Sequence, residues 1–97
     1  MAETNSELER YLQATPKSKA LWEDAKNYLP GGDSRNSIFW APYPIFVDRA
    51  SGCHVVDSDG VDRLDFIGTM TPLILGHSPK PIVEAVQKQM EHGVVYN

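Results

Sequence analysis

The pair Asp59-Gly60 stands between two short β runs, and no other pair narrows the possible folds of this chain as much. A hairpin turn of this kind needs backbone at positive φ, which an Asp-Gly pair supplies. The run before it is Cys53-His54-Val55-Val56-Asp57, and the run after it is Asp62-Arg63-Leu64-Asp65-Phe66-Ile67. An earlier run, Pro44-Ile45-Phe46-Val47-Asp48-Arg49, is set off by the turn Ala50-Ser51-Gly52. The three together predict a small antiparallel meander.

Helical signals flank the meander. Thr15 can cap and Pro16 suits a first helical position, and Ala20, Leu21, Ala25, Tyr28 and Leu29 recur at spacings of three and four. That predicts a helix over residues 16–28, ended by Pro30-Gly31-Gly32. Residues 1–15 are polar and acidic, with Leu8, Tyr11 and Leu12 at helical spacing, so they read as a marginal amphipathic helix or a loosely held arm. Beyond the meander, Thr69 to Gly76 is an apolar, loop-like connection. Ser78-Pro79-Lys80-Pro81 opens a further helix, with Ile82, Val86 and Met90 on one face and Gly93 as its stop. The fold class is α+β.

That last helix has an apolar face wider than one small meander can cover. The sequence then runs Val94-Val95-Tyr96-Asn97 at its end, amid apolar residues. A domain below roughly 100 residues buries only a modest share of its surface. The pattern is that of the beginning of a larger protein.

Composition excludes several function classes. The 97 residues carry a formal charge of −4 and no long run of Lys or Arg, which disfavours a nucleic-acid partner. No apolar stretch approaches the roughly 18 residues needed to cross a bilayer, and the first residues lack the pattern of a signal peptide. A single cysteine, Cys53, allows neither an internal disulfide nor a CxxC site. The default location is cytoplasmic.

Among candidate site residues, Arg35 comes first. It follows Pro30-Gly31-Gly32-Asp33-Ser34 and precedes the aromatic stretch Phe39-Trp40-Ala41-Pro42-Tyr43. It can be a solvated turn residue, or its planar guanidinium can grip a carboxylate in bidentate geometry beside an aromatic wall. Both readings stand on the residues alone. Met70, between two threonines, serves loop packing or a pocket floor equally well. Asp57, Asp59, Asp62 and Asp65 have a superficial calcium-loop spacing, but Gly60 directly follows Asp59 and the later glutamate is missing. They read as turn and strand-edge residues. His54, His77 and His92 sit on separate elements without an i, i+4 pair, and Cys53 reads as a packed thiol. His77 reads as closing the loop before the last helix, its ring bonded to backbone. No phosphate loop and no catalytic triad order is present.

The order of the motifs is more specific than any one of them. "LWEDAKNYLPGG", then "PYPIFVDRASGCHVVDSDGVDRLDFIG", then "LILGHSPKPIVEAVQKQMEHG" resembles the N-terminal region of class III aminotransferases, pyridoxal-phosphate (PLP) enzymes of fold type I. The resemblance covers residues 16–97 and divides the chain into a polar arm, 1–15, and the N-terminal part of the small domain. Closest in look are the glutamate-1-semialdehyde aminomutases and their relatives that transaminate aromatic β-amino acids. The pair Ser34-Arg35 before an aromatic-Ala-Pro segment looks more like the second group, in which the matching arginine binds the substrate carboxylate. Met70 stands where the aminomutases carry Trp.

The resemblance implies transfer of an amino group from an amino acid, β-amino acids included, to a 2-oxo acid. It implies Arg35 and Ser34 at the substrate carboxylate, and Phe39, Trp40 and Met70 around its side chain. It also implies a homodimer whose Schiff-base lysine, phosphate-binding loop and pyridine-facing aspartate lie downstream. The 97 residues alone are then expected to be inactive. The rivals are an aminomutase on the same fold and, from another class, a non-catalytic β-meander module that binds a carboxylate or a peptide.

Overall fold

The computed structural model describes residues 2–34 and 39–95; Arg35 lies outside the described residues. Helix α1 spans Ala2–Ala14 and α2 spans Pro16–Ala25, followed by a 3-10 turn at Pro30–Gly32. Strands β1 (Val47–Ser51), β2 (His54–Asp57) and β3 (Asp62–Leu64) form one antiparallel sheet in the order β1-β2-β3, and α3 spans Lys80–Met90. The meander and the flanking helices are therefore as expected.

The differences are local. The N-terminal stretch takes the helical alternative, so two helices precede the sheet instead of one. Helix α2 stops at Ala25, three residues short of expectation, and residues 26–28 are turns. The first strand starts later and runs through Ser51. The third ends at Leu64, because the Asp65 carboxylate accepts the amides of Ile67 (2.8 Å) and Gly68 (2.9 Å) and turns the chain out of the sheet. Gly60 has φ +87, the conformation that its place in the hairpin requires.

What joins the sheet to the helices is mostly polar. Thr15 occupies the N-cap position of α2 but does not cap it; its hydroxyl donates to the Tyr11 carbonyl at 2.7 Å. The cap comes from the hairpin turn. Asp59 accepts the amide of Lys17 at 2.7 Å and that of Ser18 at 3.1 Å, the two positions an N-cap side chain ordinarily serves. A carboxylate there also suits the positive end of the helix. Ser18 is fully buried. Its hydroxyl accepts the Phe46 amide (3.1 Å) and shares a hydrogen bond with Ser58 (3.1 Å).

Above this seam lies an aromatic cluster. Tyr43, 2% exposed, stacks on Trp22 with centroids 6.0 Å apart and meets Tyr11 at 5.3 Å. The Tyr11 hydroxyl donates to the Tyr43 carbonyl at 2.5 Å, which fastens α1 to the rest. Tyr43 is the one large apolar side chain fully buried among the described residues. The radius of gyration, 16.7 Å, exceeds the roughly 12.5 Å of a compact domain of this length. Helix α3 buries none of its residues. No helix among the described residues is long and apolar enough to cross a membrane.

Candidate functional site

The segment that leads to Arg35 is held by Trp22. Its indole nitrogen donates to the Gly31 carbonyl at 2.9 Å, and its ring lies so close to Gly32 that a Cβ there would meet it at 2.7 Å. Only glycine fits at that position, which accounts for the second glycine of the Pro30-Gly31-Gly32 turn. Lys26 sits 4.2 Å above the same indole and pairs with Glu23. The chain leaves this turn through Ser34 and is next described at Phe39, whose ring again meets Trp22, at 6.3 Å.

Two clefts flank the turn. One, of about 460 Å³, is lined by Trp22, Lys26, Pro30, Gly31, Asp33 and Phe39. The other, of about 270 Å³, runs between α2 and the approach to β1, with Ser34 and Phe46 in its wall. Ser34 and Phe39 thus line separate hollows, with Asp33 common to both. Trp40 is exposed outside either cleft. Met70 is exposed as well, in the loop after β3, and lines neither. The described site residues are not gathered into one enclosed pocket. Of the two residues that organise this corner, Tyr43 stood out in the sequence only as part of the aromatic stretch, and Trp22 was missed because it falls outside the periodic apolar positions of its helix.

The four aspartates of the hairpin are all engaged. Asp57 is buried, and its Oδ1 accepts the amides of Asp59 (3.0 Å) and Val61 (2.8 Å). Its Oδ2 takes both Nε (3.0 Å) and a terminal nitrogen (2.8 Å) of Arg63. Burial pushes this carboxyl up, but the Val61 amide, the Arg63 guanidinium and the Asp59 amide outweigh it and hold it below the usual carboxylate range. Asp62 meets His54 at 2.9 Å, and Asp65 meets His77 at 2.7 Å. His77 therefore bonds a carboxylate through its ring, while its backbone, not its ring, makes the bonds to backbone expected of it. Its amide donates to Gly52 (2.8 Å) and its carbonyl accepts from Gly52 (2.9 Å). Cys53 is exposed rather than packed, since it occupies the turn between β1 and β2.

Residues 39–97 match the family profile described as "Aminotransferase class-III". The chain belongs to that family. It is 40% identical over 80 residues to the glutamate-1-semialdehyde 2,1-aminomutase of Methanocaldococcus jannaschii, an overlap of 82% of this chain and 19% of that one. Among solved structures it is similar to a β-phenylalanine aminotransferase from Variovorax paradoxus, with a TM-score of 0.82 and 35% identity over 92% of this chain and 21% of that one. A transaminase with PLP bound matches with a TM-score of 0.82 and 42% identity, over 86% and 20% of the two chains. The chain thus spans about a fifth of the length of these relatives. The class III relatives share its fold type, and the three-stranded sheet and α3 lie within residues 39–97, the part the family profile matches.

The described residues do not by themselves fit PLP. All five lysines, Lys17, Lys19, Lys26, Lys80 and Lys88, are exposed. The first free amides of α2 are already taken by Asp59, which removes the natural phosphate seat at that helix end.

Proposed function

We propose that this chain works as the N-terminal portion of a PLP-dependent class III aminotransferase. Residues 16–97 form the first part of its small domain, and the helix before them is an arm resting on Tyr43. The enzyme moves an amino group from an amino acid to a 2-oxo acid, as a cytoplasmic homodimer. The observation that carries this reading is the match to the PLP-bound transaminase, which extends over most of the chain at 42% identity.

Within that enzyme the task of this segment is substrate binding. Arg35 orients the substrate carboxylate from the span between Ser34 and Phe39, whose flanking turn is fastened to Trp22. Ser34 supports the carboxylate, and Phe39, Trp40 and Met70 bound the substrate side chain. Identity at a similar level to the Methanocaldococcus aminomutase supports a second reaction on the same fold, movement of the amino group within one molecule. Dependence on an added amino acceptor separates the two.

The direct test is Arg35→Ala in the full-length enzyme. Loss of a charge-assisted hydrogen-bonded pair, about 1.5–3 kcal/mol, lowers kcat/KM about ten- to hundred-fold for donors bearing a carboxylate. Amines without a carboxylate should be much less affected. Arg35→Lys should recover only part, because a point charge cannot reproduce the fork. Equal losses for both donor classes would make Arg35 a structural residue.

A further inference from the structure

We propose that Asp65 and His77 form a clasp that holds the loop bearing Met70, and that both act as positioning residues for substrate discrimination. The claim rests on the reading above that Met70 bounds the substrate side chain. Residues 66–76 connect β3 to the approach of α3, and both ends of this loop are tied to one corner of the sheet. At the first end the Asp65 amide donates to the Cys53 carbonyl at 2.8 Å. At the second end His77 exchanges both backbone bonds with Gly52. Gly76, next to it, packs so close that a Cβ would lie 2.7 Å from the Gly52 oxygen.

The Asp65 side chain joins the two ends. One oxygen accepts the amides of Ile67 and Gly68, and the other meets Nε2 of His77 at 2.7 Å. The Gly68 amide, the His77 ring and the Ile67 amide together hold this carboxyl below the usual range, so it is ionised near neutral pH. An ionised carboxylate only accepts, so Nε2 of His77 carries the hydrogen.

Between the ends the backbone is left-handed over four consecutive residues: Gly68 (φ 53), Thr69 (φ 56), Met70 (φ 59) and Thr71 (φ 100). Three of the four carry a Cβ, and two of those are β-branched. Such backbone persists only where the surroundings over-determine it. Packing does not do so here, because Phe66 is 91% exposed, Ile74 88% and Met70 61%. Within the loop there are three backbone bonds, from Met70 to Ile67 (3.0 Å), Leu73 to Gly68 (3.4 Å) and Gly76 to Leu73 (3.0 Å); what ties its two ends together is the Asp65–His77 side-chain bond.

The test uses the full-length enzyme with His77→Ala, which removes the donor, and His77→Gln, which keeps an N–H at the same reach. Exchange of the hydrogen-bonded amides of Gly68 and Met70 should quicken about tenfold or more in His77→Ala, with the amides of β1 to β3 unchanged. The kcat/KM ratio of a bulky aromatic donor to a small one should shift about five- to tenfold, through KM of the bulky donor. His77→Gln should restore most of both. If His77→Ala does not fold, His77→Leu serves, because it fills similar space and has no group that can bond Asp65. Unchanged exchange in a folded variant overturns the clasp. Faster exchange with an unchanged donor ratio overturns the positioning role. Failure of the parent enzyme to use any amino donor would instead refute the aminotransferase reading.

Discussion

Around Tyr43 the chain buries mainly polar groups, and each has a partner: Thr15 with Tyr11 and Tyr43, Ser18 with Phe46 and Ser58, Asp57 with Arg63. Large apolar side chains such as Tyr28, Trp40 and Leu64 are exposed there too, but from Phe66 onward no described residue is buried at all. Phe66, Ile67, Ile74, Leu75, Ile82, Val86 and Met90 are apolar and stay exposed. Hydrogen bonds can close within one short segment and its immediate neighbours, but an apolar face needs a second surface to cover it. The first half therefore has a defined interior of its own. The second half has regular backbone and strained loop geometry but no core. In a chain one fifth the length of its relatives, that contrast separates what is settled locally from what depends on further packing.

Asp57 offers the strongest way to break the contrast. Asp57→Ala removes the acceptor of four hydrogen bonds at once and leaves Arg63 unpaired beside a buried site. Asp57 is wholly buried while Arg63 is a third exposed and can be solvated, so the loss comes chiefly from the amides left without an acceptor, about 1–3 kcal/mol each. Urea melts of the 97-residue chain should show the sheet unfolded, or close to it, without denaturant. Acid should act on the same group. A carboxyl depressed in the folded state contributes its full stability above its unfolded value, near pH 4, and loses it as pH falls through the lower folded value. The parent should therefore lose stability below about pH 4, and Asp57→Asn should lose less over that interval. A parent whose stability is flat down to pH 2 would show that Asp57 does not organise the first half.

The second test concerns the seam between helix and hairpin, and it also shows what the sequence concealed. Asp59→Ala frees the amides of Lys17 and Ser18, at a cost of about 1 kcal/mol. Thr15→Val should not reproduce a capping loss, because Thr15 serves Tyr11 and Tyr43 instead. Local cues favoured Thr15, which precedes Pro16 and has the right side chain. The residue that caps lies 42 positions from Lys17, and nothing in a local pattern announces it. The hairpin, the prolines opening α3 and the glycine after it were legible because their signals act within a few residues. The aromatic stretch was legible as a wall, but which ring was buried depended on where Trp22 came to rest. The Asp65–His77 bond was hidden for the same reason as the cap, since its partners stand 12 residues apart with an irregular loop between them.

The smallest expected effect sharpens the comparison most, because it should be small in one setting and large in another. Ile82 and Val86 sit on the exposed face of α3, about half accessible. In the 97-residue chain Val86→Gln should change stability by less than about 0.5 kcal/mol, as for other exposed positions. Glutamine is also the better helix former of the two, so helical content should not fall. If a further part of the full-length enzyme covers the face, a buried amide without partners should cost about 1–3 kcal/mol. Melts of the two proteins, each against its own parent, give the difference directly. A loss of similar size in both would mean that α3 already packs against this chain's own elements. The contrast between a self-contained first half and an uncovered second half would then have to be given up.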